Sequence, residues 1–92
     1  MKAIWNGATI AESNETIVVD NNHYFPESAL VKDFFKSSDM HSTCGGKGEA
    51  SYYSIVVDGK ENKDAAWFYP SPKTAAQQIQ NYVAFWKGVK IE

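Results

Sequence analysis

The segment Glu49–Tyr69, EASYYSIVVDGKENKDAAWFY, decides the fold class. Its first part, through Val57, is rich in β-branched and aromatic residues, which favour strands. Asp58-Gly59 is a hairpin signal, because the tight turn between two strands requires positive φ at both central residues. The return strand is expected from about Asp64 to Tyr69. The segment therefore predicts an antiparallel hairpin.

A two-residue turn at Asp58-Gly59 would place Ala50 opposite Trp67 and Tyr52 opposite Ala65. Because side chains alternate along a strand, the hairpin then has two different faces. One is expected to combine small residues with rings that carry polar tips, namely Gly48, Ala50, Tyr52, Ser54, Ala65, Trp67 and Tyr69. The other has the composition of a plain core, with Tyr53, Ile55, Val57, Ala66 and Phe68. The first face suits a pocket wall, and it suits small-against-large core packing equally well.

Further strand signals lie on both sides of this hairpin. Asn6-Gly7 predicts a second hairpin, and strands are also expected at Thr16–Val19, Phe34–Lys36, Val83–Trp86 and Val89–Ile91. Pro26 is suited to the first position of a helical turn that runs through Leu30. The glycine-rich Asp39–Gly48 must be a loop or a strand edge.

One helix is expected near the C-terminal end. Ser71 is a suitable N-cap with Pro72 at the first helical position, so the sequence predicts a helix over Lys73 to about Asn81. An apolar stripe would come from Ala75, Ala76 and Ile79. One helix among about seven strands predicts a mainly β, antiparallel domain that spans residues 1–92.

Composition excludes several functional classes. The formal net charge is −2, and all nine cationic residues are Lys, which argues against a nucleic-acid partner because base and phosphate recognition favours a basic excess with Arg. No apolar run is long enough for a membrane span. Cys44 stands alone and no signal peptide is evident, so the cytoplasm is the expected location. We expect no cofactor.

Two central motifs, His41–Tyr52 (HSTCGGKGEASY) and Asp64–Pro70 (DAAWFYP), strongly resemble those of the domain-of-unknown-function 427 family. Trp5-Asn6-Gly7, Tyr24-Phe25-Pro26 and Val83–Trp86 also fit, so the resemblance covers essentially the whole chain. It implies a tent-like or partly open antiparallel β domain with one helix and no established activity. The matching positions are His41, Thr43, Cys44, Lys47, Gly48, Ala50, Tyr52, Trp67 and Tyr69. The family often has Pro or a bulky ring between the Cys and the Lys, whereas this chain has Gly45-Gly46.

The family is sometimes labelled nucleotidyltransferase-like, and the residues give that label little support. Nucleotidyl transfer normally requires clustered carboxylates that hold Mg²⁺ on the phosphates. Asp58 and Asp64 merely flank a hairpin. A phosphate-binding P-loop leads into a helix, whereas Gly45-Gly46-Lys47-Gly48 leads into a strand.

Two residues are candidates for catalysis. Cys44 would be the nucleophile, and His41 would raise its thiolate fraction or act as a general acid or base. The alternatives are a small buried apolar cysteine and a surface or hydrogen-bonded histidine. A metal would have only His23, His41 and Cys44 as soft or imidazole donors, so no metal site is predicted.

The ligand-binding candidates are Thr43, Lys47, Gly48, Tyr52, Trp67 and Tyr69. Lys47 and the amides of its glycine-rich turn would hold an anion, and the rings would stack on the rest of the ligand. The alternatives are a solvated lysine and rings that only pack in the core.

Three functions remain open at this point. The first is binding of a small polar or anionic molecule in an aromatic-lined pocket. The second is a small enzyme that uses Cys44 and His41 in the same pocket, and the third is a protein–protein interaction module. The sequence also leaves open whether the chain forms a homodimer.

Overall fold

A computed structural model describes all 92 residues of the chain. Nine strands occur in chain order: β1 (Lys2–Trp5), β2 (Ala8–Glu12), β3 (Ile17–Val19), β4 (Asn22–Tyr24), β5 (Phe35–Cys44), β6 (Gly48–Val57), β7 (Lys60–Phe68), β8 (Val83–Phe85) and β9 (Lys90–Ile91). Three 3₁₀ helices span Glu27–Ala29, Lys32–Phe34 and Thr74–Ile79. The protein is 58% strand and 13% helical and has no closed barrel, so the predicted mainly β class is confirmed.

The strands form three antiparallel sheets. One has the order β2-β1-β9, the second is the β3-β4 hairpin, and the largest has the order β5-β6-β7-β8. The sheets are joined by short bridges, of which Phe25 with Val83 fixes the β3-β4 hairpin against β8. Each of these two residues donates its backbone N–H to the carbonyl of the other at 2.8 Å.

The turn predictions are confirmed. Asn6-Gly7 and Asp58-Gly59 each connect two strands with positive φ at both residues. The Asp20-Asn21 turn between β3 and β4 also has positive φ at both residues.

The predicted register of the central hairpin is correct from the turn to Ile55 and is wrong by two residues beyond it. Tyr52 pairs with Trp67 and not with Ala65, because three residues of β7, Lys63–Ala65, stand opposite Ser54 alone. The bulge is centred on Asp64, whose φ is +57° and whose N–H donates to Ser54 Oγ at 3.1 Å. A shift by two residues preserves the alternation of faces, so Tyr52, Trp67 and Tyr69 still lie on one side.

The segment Asp39–Gly48 is mostly strand. Of the two alternatives, the strand edge is correct, since β5 is the edge strand of the largest sheet and continues to Cys44. Only Gly45–Lys47 form the turn to β6, closed by a hydrogen bond from the Lys47 N–H to the Cys44 carbonyl at 3.1 Å.

The predicted C-terminal helix is present, but it is shorter than expected and of the 3₁₀ type. It begins at Thr74, so Ser71 is not its N-cap, and Ala76 departs from helical geometry with φ −116° and ψ 17°. Two short turns meet at this residue, which leaves no continuous stretch for α-helical hydrogen bonds. Ala76 and Ile79 are buried as predicted, whereas Ala75 is exposed.

Two apolar clusters form the core. The larger contains eleven buried residues, among them Phe25, Ile55 and Phe85. The smaller contains six buried residues and is built from alanines, Ile79 and the rings of Tyr24 and Tyr69. The structure contains no helix with the length and hydropathy that crossing a bilayer requires.

Candidate functional site

A cavity of about 230 Å³ opens beside the smaller cluster. Five aromatic rings, two charged side chains and one amide line it: Asp20, Asn22, Tyr24, Lys47, Tyr52, Trp67, Tyr69 and Trp86. Four of the lining residues are predicted ligand-binding residues. Lys47 lies in the turn before β6, Tyr52 lies on β6, Trp67 lies on β7, and Tyr69 directly follows β7. The predicted site residues Lys47, Tyr52, Trp67 and Tyr69 are therefore brought together.

The β3-β4 hairpin supplies one wall of the cavity. Its tight turn places Asp20 and Asn22 at the rim, and Tyr24 on β4 is almost fully buried. Burial raises the pKa of Tyr24, and the hydrogen bond from Trp67 works in the opposite direction. No local pattern selects these residues, because the hairpin reaches the site through the long-range pairing of Phe25 with Val83 on β8.

Lys47 supplies the positive charge. Its side chain is 17% exposed and forms an ion pair with Asp20, whose side chain is 69% exposed. The hydrogen bond to Asp20 is the main reason that the pKa of Lys47 lies above its ordinary value. The lysine is therefore held at the cavity while its partner carboxylate remains in solvent.

Contacts with the segment before the third 3₁₀ helix fix the turn that carries Lys47. The Lys73 N–H donates to the Lys47 carbonyl at 2.8 Å, and Lys73 Nζ donates to the Gly45 carbonyl at 2.6 Å. Gly48 has φ +110°, and a Cβ atom there would lie 3.5 Å from the Ser71 carbonyl oxygen. Gly48 thus supports the site through its backbone conformation and does not line the cavity.

The two tryptophans present ring surface and not hydrogen-bond donors. Trp67 Nε1 donates to Tyr24 Oη at 3.2 Å, and Trp86 Nε1 donates to the Asp64 carbonyl at 2.6 Å. The rings of Trp67 and Trp86 meet at 87° with their centroids 6.2 Å apart. Trp67 and Tyr24 meet at 89°, also at 6.2 Å.

The two remaining phenols differ in their hydrogen bonding. Tyr52 Oη lies 2.7 Å from Ser42 Oγ. Tyr69 as a whole residue is only 6% exposed. Its hydroxyl forms no hydrogen bond within the protein, but solvent reaches that hydroxyl through the cavity. Burial raises the pKa of Tyr69 to about 12, so its hydroxyl is protonated at neutral pH and is a free donor at the cavity.

The two predicted catalytic residues lie on opposite faces of the sheet. His41 pairs with Ser51 and Cys44 with Gly48 on the same strand, and residues three apart on a strand point to opposite sides. His41 is exposed, and its Nδ1 lies 3.4 Å from Ser51 Oγ. The structure therefore does not bring His41 to Cys44 as a base.

Cys44 lies next to the cavity without lining it. Its side chain is half-buried and packs against the smaller cluster. Hydrogen bonds from the backbone N–H groups of Gly46 and Lys47 lower the pKa of the thiol, and the Lys47 charge acts in the same direction. The amides of the glycine turn therefore favour the ionised form of the chain's own Cys44, and an anion site for a ligand on these amides stays a prediction.

Thr43 does not reach the cavity. It is exposed and pairs with Glu49, on the same side of β5 as His41. His23 lies on β4, where its Nδ1 is 3.5 Å from Thr16 Oγ1. No three His, Cys, Asp or Glu side chains converge as a possible metal-binding group.

Sequence reasoning missed half of the cavity lining, namely Asp20, Asn22, Tyr24 and Trp86. The only local signal was the polar turn at residues 20–22, which predicts a turn and not a site. Trp86 follows β8 and is 44% exposed, which is unusual for so large an apolar ring. That exposure became visible only in the folded chain.

Comparison with known proteins identifies the family and no activity. No curated protein matches the chain. A family model described as a domain of unknown function, DUF427, matches residues 1–92, the entire chain. The protein therefore belongs to the DUF427 family.

Proposed function

We propose that this domain binds a small polar or anionic molecule in the cavity between the β3-β4 hairpin and the β6-β7 face. The observation that carries the proposal is the free hydroxyl of Tyr69 at a site that also contains Lys47. The hydroxyl is accessible from the cavity and donates to no group of the protein, so it is available to an acceptor on a ligand.

The size of the cavity limits the ligand. At about 230 Å³ it lies below the roughly 300–1,000 Å³ typical of pockets for drug-sized molecules. A whole dinucleotide or an extended peptide would not be enclosed. The proposal is therefore restricted to a compact molecule with one anionic or strongly polar group.

The electrostatics support an anionic group at Lys47. The lysine is mostly buried and cannot turn away into solvent, whereas Asp20 is mostly exposed and is free to do so. A ligand carboxylate or phosphate would take the place of the Asp20 carboxylate on Lys47. Tyr69 would donate a second hydrogen bond to the same group, and the rings would cover the apolar part.

Binding is favoured over catalysis by the positions of the reactive groups. Cys44 lies outside the cavity lining, and His41 is on the other face of the sheet.

We also propose a cytoplasmic location, since the single cysteine suits a reducing compartment.

The test is a thermal-shift screen of the whole domain against carboxylates, sugar phosphates and nucleotides. A ligand at 100 times its dissociation constant stabilises a protein by about 2.7 kcal/mol, which is easily measured in a domain of this size. We expect a hit with the wild type that is lost in Lys47→Met. Lys36→Met is the matched control, because Lys36 also forms an ion pair, with Glu61, but lies away from the cavity.

Two outcomes would contradict the proposal. One is the absence of any stabilising compound across the three ligand classes. The other is a hit of equal size in Lys47→Met, which would place binding elsewhere. An aromatic surface that recruits a protein would then become the better account of the site.

A further inference from the structure

We infer that the ligand is a small zwitterion that carries a methylated ammonium group and a carboxylate. This inference rests on the proposed function and specifies its ligand class. The carboxylate would be held by Lys47 and Tyr69, and the ammonium group by the aromatic rings of the lining and by Asp20.

The angles between the rings favour a compact group over a flat one. Trp67 is nearly perpendicular to both Trp86 and Tyr24, at 87° and 89°. A planar base or aromatic ligand stacks on one such ring and meets the others edge-on. A roughly spherical group, such as a trimethylammonium, contacts perpendicular ring surfaces at the same time.

The rings offer the chemistry that a bulky cation needs. Both indole N–H groups are already used within the protein, so the indoles do not compete as donors. The remaining surface is π-electron density, which attracts cations within about 6 Å of a ring centroid. Lys87 Nζ donates to the Lys63 carbonyl and lies 5.1 Å from the Trp86 centroid, so a ligand cation would use the ring surface that Lys87 leaves open.

The two charges at the rim explain why the ligand should carry both signs. Lys47 and Asp20 line the same cavity, so a ligand that carries both signs offers each of them a partner of opposite charge. A zwitterion separates the ion pair and replaces each half with a partner of opposite charge. Because its net charge is zero, it leaves no unbalanced charge in a partly buried site.

The experiment compares two probes of the same shape by isothermal titration calorimetry on the whole domain. Glycine betaine has a trimethylammonium group next to a carboxylate, and 3,3-dimethylbutanoate replaces the nitrogen with carbon and so removes the positive charge. We expect glycine betaine to bind at least about tenfold more tightly, because a desolvated cation–π contact is worth that much. Trp86→Leu, which keeps an apolar side chain but removes the ring, should reduce this preference several-fold.

Other outcomes separate this inference from the proposed function. Suppose that 3,3-dimethylbutanoate binds as tightly as glycine betaine and that its affinity falls in Lys47→Met. The inference of a zwitterionic ligand is then overturned, while the proposed anion site at Lys47 stands. If neither probe binds, the inference is overturned, while the ligand screen still decides on the proposed function. Sedimentation with phosphatidylcholine vesicles but no binding of free glycine betaine would also overturn it, since the ligand would then be a lipid headgroup.

Discussion

The two faces of the β6-β7 hairpin both carry aromatic residues, but the rings pack together on one face and line a cavity on the other. On the face of the larger cluster, Tyr53 stacks on Phe68 with centroids 4.7 Å apart and packs edge-on against Phe35. On the cavity face, the adjacent Tyr52 hydrogen-bonds to Ser42 and lines an open space with Trp67. Ring content alone therefore does not distinguish a core from a site. In a core the rings pack against one another and leave no space, whereas in a site they surround an open cavity.

The largest expected effect is on the packed face. Ile55 is fully buried, so Ile55→Ala should lower the free energy of unfolding by about 2–5 kcal/mol through lost burial and the resulting cavity. On the open face, Tyr52→Phe should cost only about 1 kcal/mol, because it removes one hydrogen bond to Ser42. Urea denaturation measures both. Equal costs would mean that the cavity face is as tightly packed as the core.

The turn that carries Lys47 provides the next comparison. Gly48→Ala should cost about 1–3 kcal/mol, since φ +110° is strained for any residue with a side chain. Gly45→Ala is the matched control, because its φ is not in the strained range and open space surrounds its Cβ position. It should change stability by less than about 1 kcal/mol. Similar costs at both glycines would argue against a rigid platform for Lys47.

A smaller effect is expected from alkaline pH. Burial raises the pKa of Tyr69 from 10.0 to about 12, so the folded protein holds the phenolic proton more tightly than the unfolded chain. This contribution to stability is complete below pH 10 and disappears as the pH rises towards about 12. Tyr69→Phe should flatten the fall in unfolding free energy over that range. An unchanged slope in Tyr69→Phe would show that the hydroxyl is well solvated.

Features encoded by local chemistry were predictable from the sequence. The hairpins at Asn6-Gly7 and Asp58-Gly59 follow from the positive φ that their turns require, and alternation along β6 separated the two faces correctly. The register was not predictable, because it depends on a bulge at Asp64. Asp64 has positive φ within a strand, where no Asn-Gly or Asp-Gly pair marks it, and distant partners such as Ser54 and Trp86 hold it in place.

The site was half predictable for a related reason. Lys47, Tyr52, Trp67 and Tyr69 lie in two segments that pair locally, so their shared face followed from strand alternation. The four other lining residues come from β4, its turn and the end of β8, and reach the cavity through long-range pairing. The expected partnership of His41 with Cys44 assumed a loop, and it fails because the segment is an extended strand.

The central claim is that ligand binds on the cavity face and not on the packed one. The chain has three tryptophans, of which Trp67 and Trp86 line the cavity and Trp5 packs against the larger cluster. Their indole N–H signals in a ¹⁵N-correlated NMR spectrum therefore report on the two regions separately. On titration with the compound that stabilises the domain most in the thermal-shift screen, we predict that the Trp67 and Trp86 signals shift in a saturable way while Trp5 stays in place. If all three signals stay in place, or if Trp5 shifts as much as the other two, the account of the cavity as a binding site is contradicted.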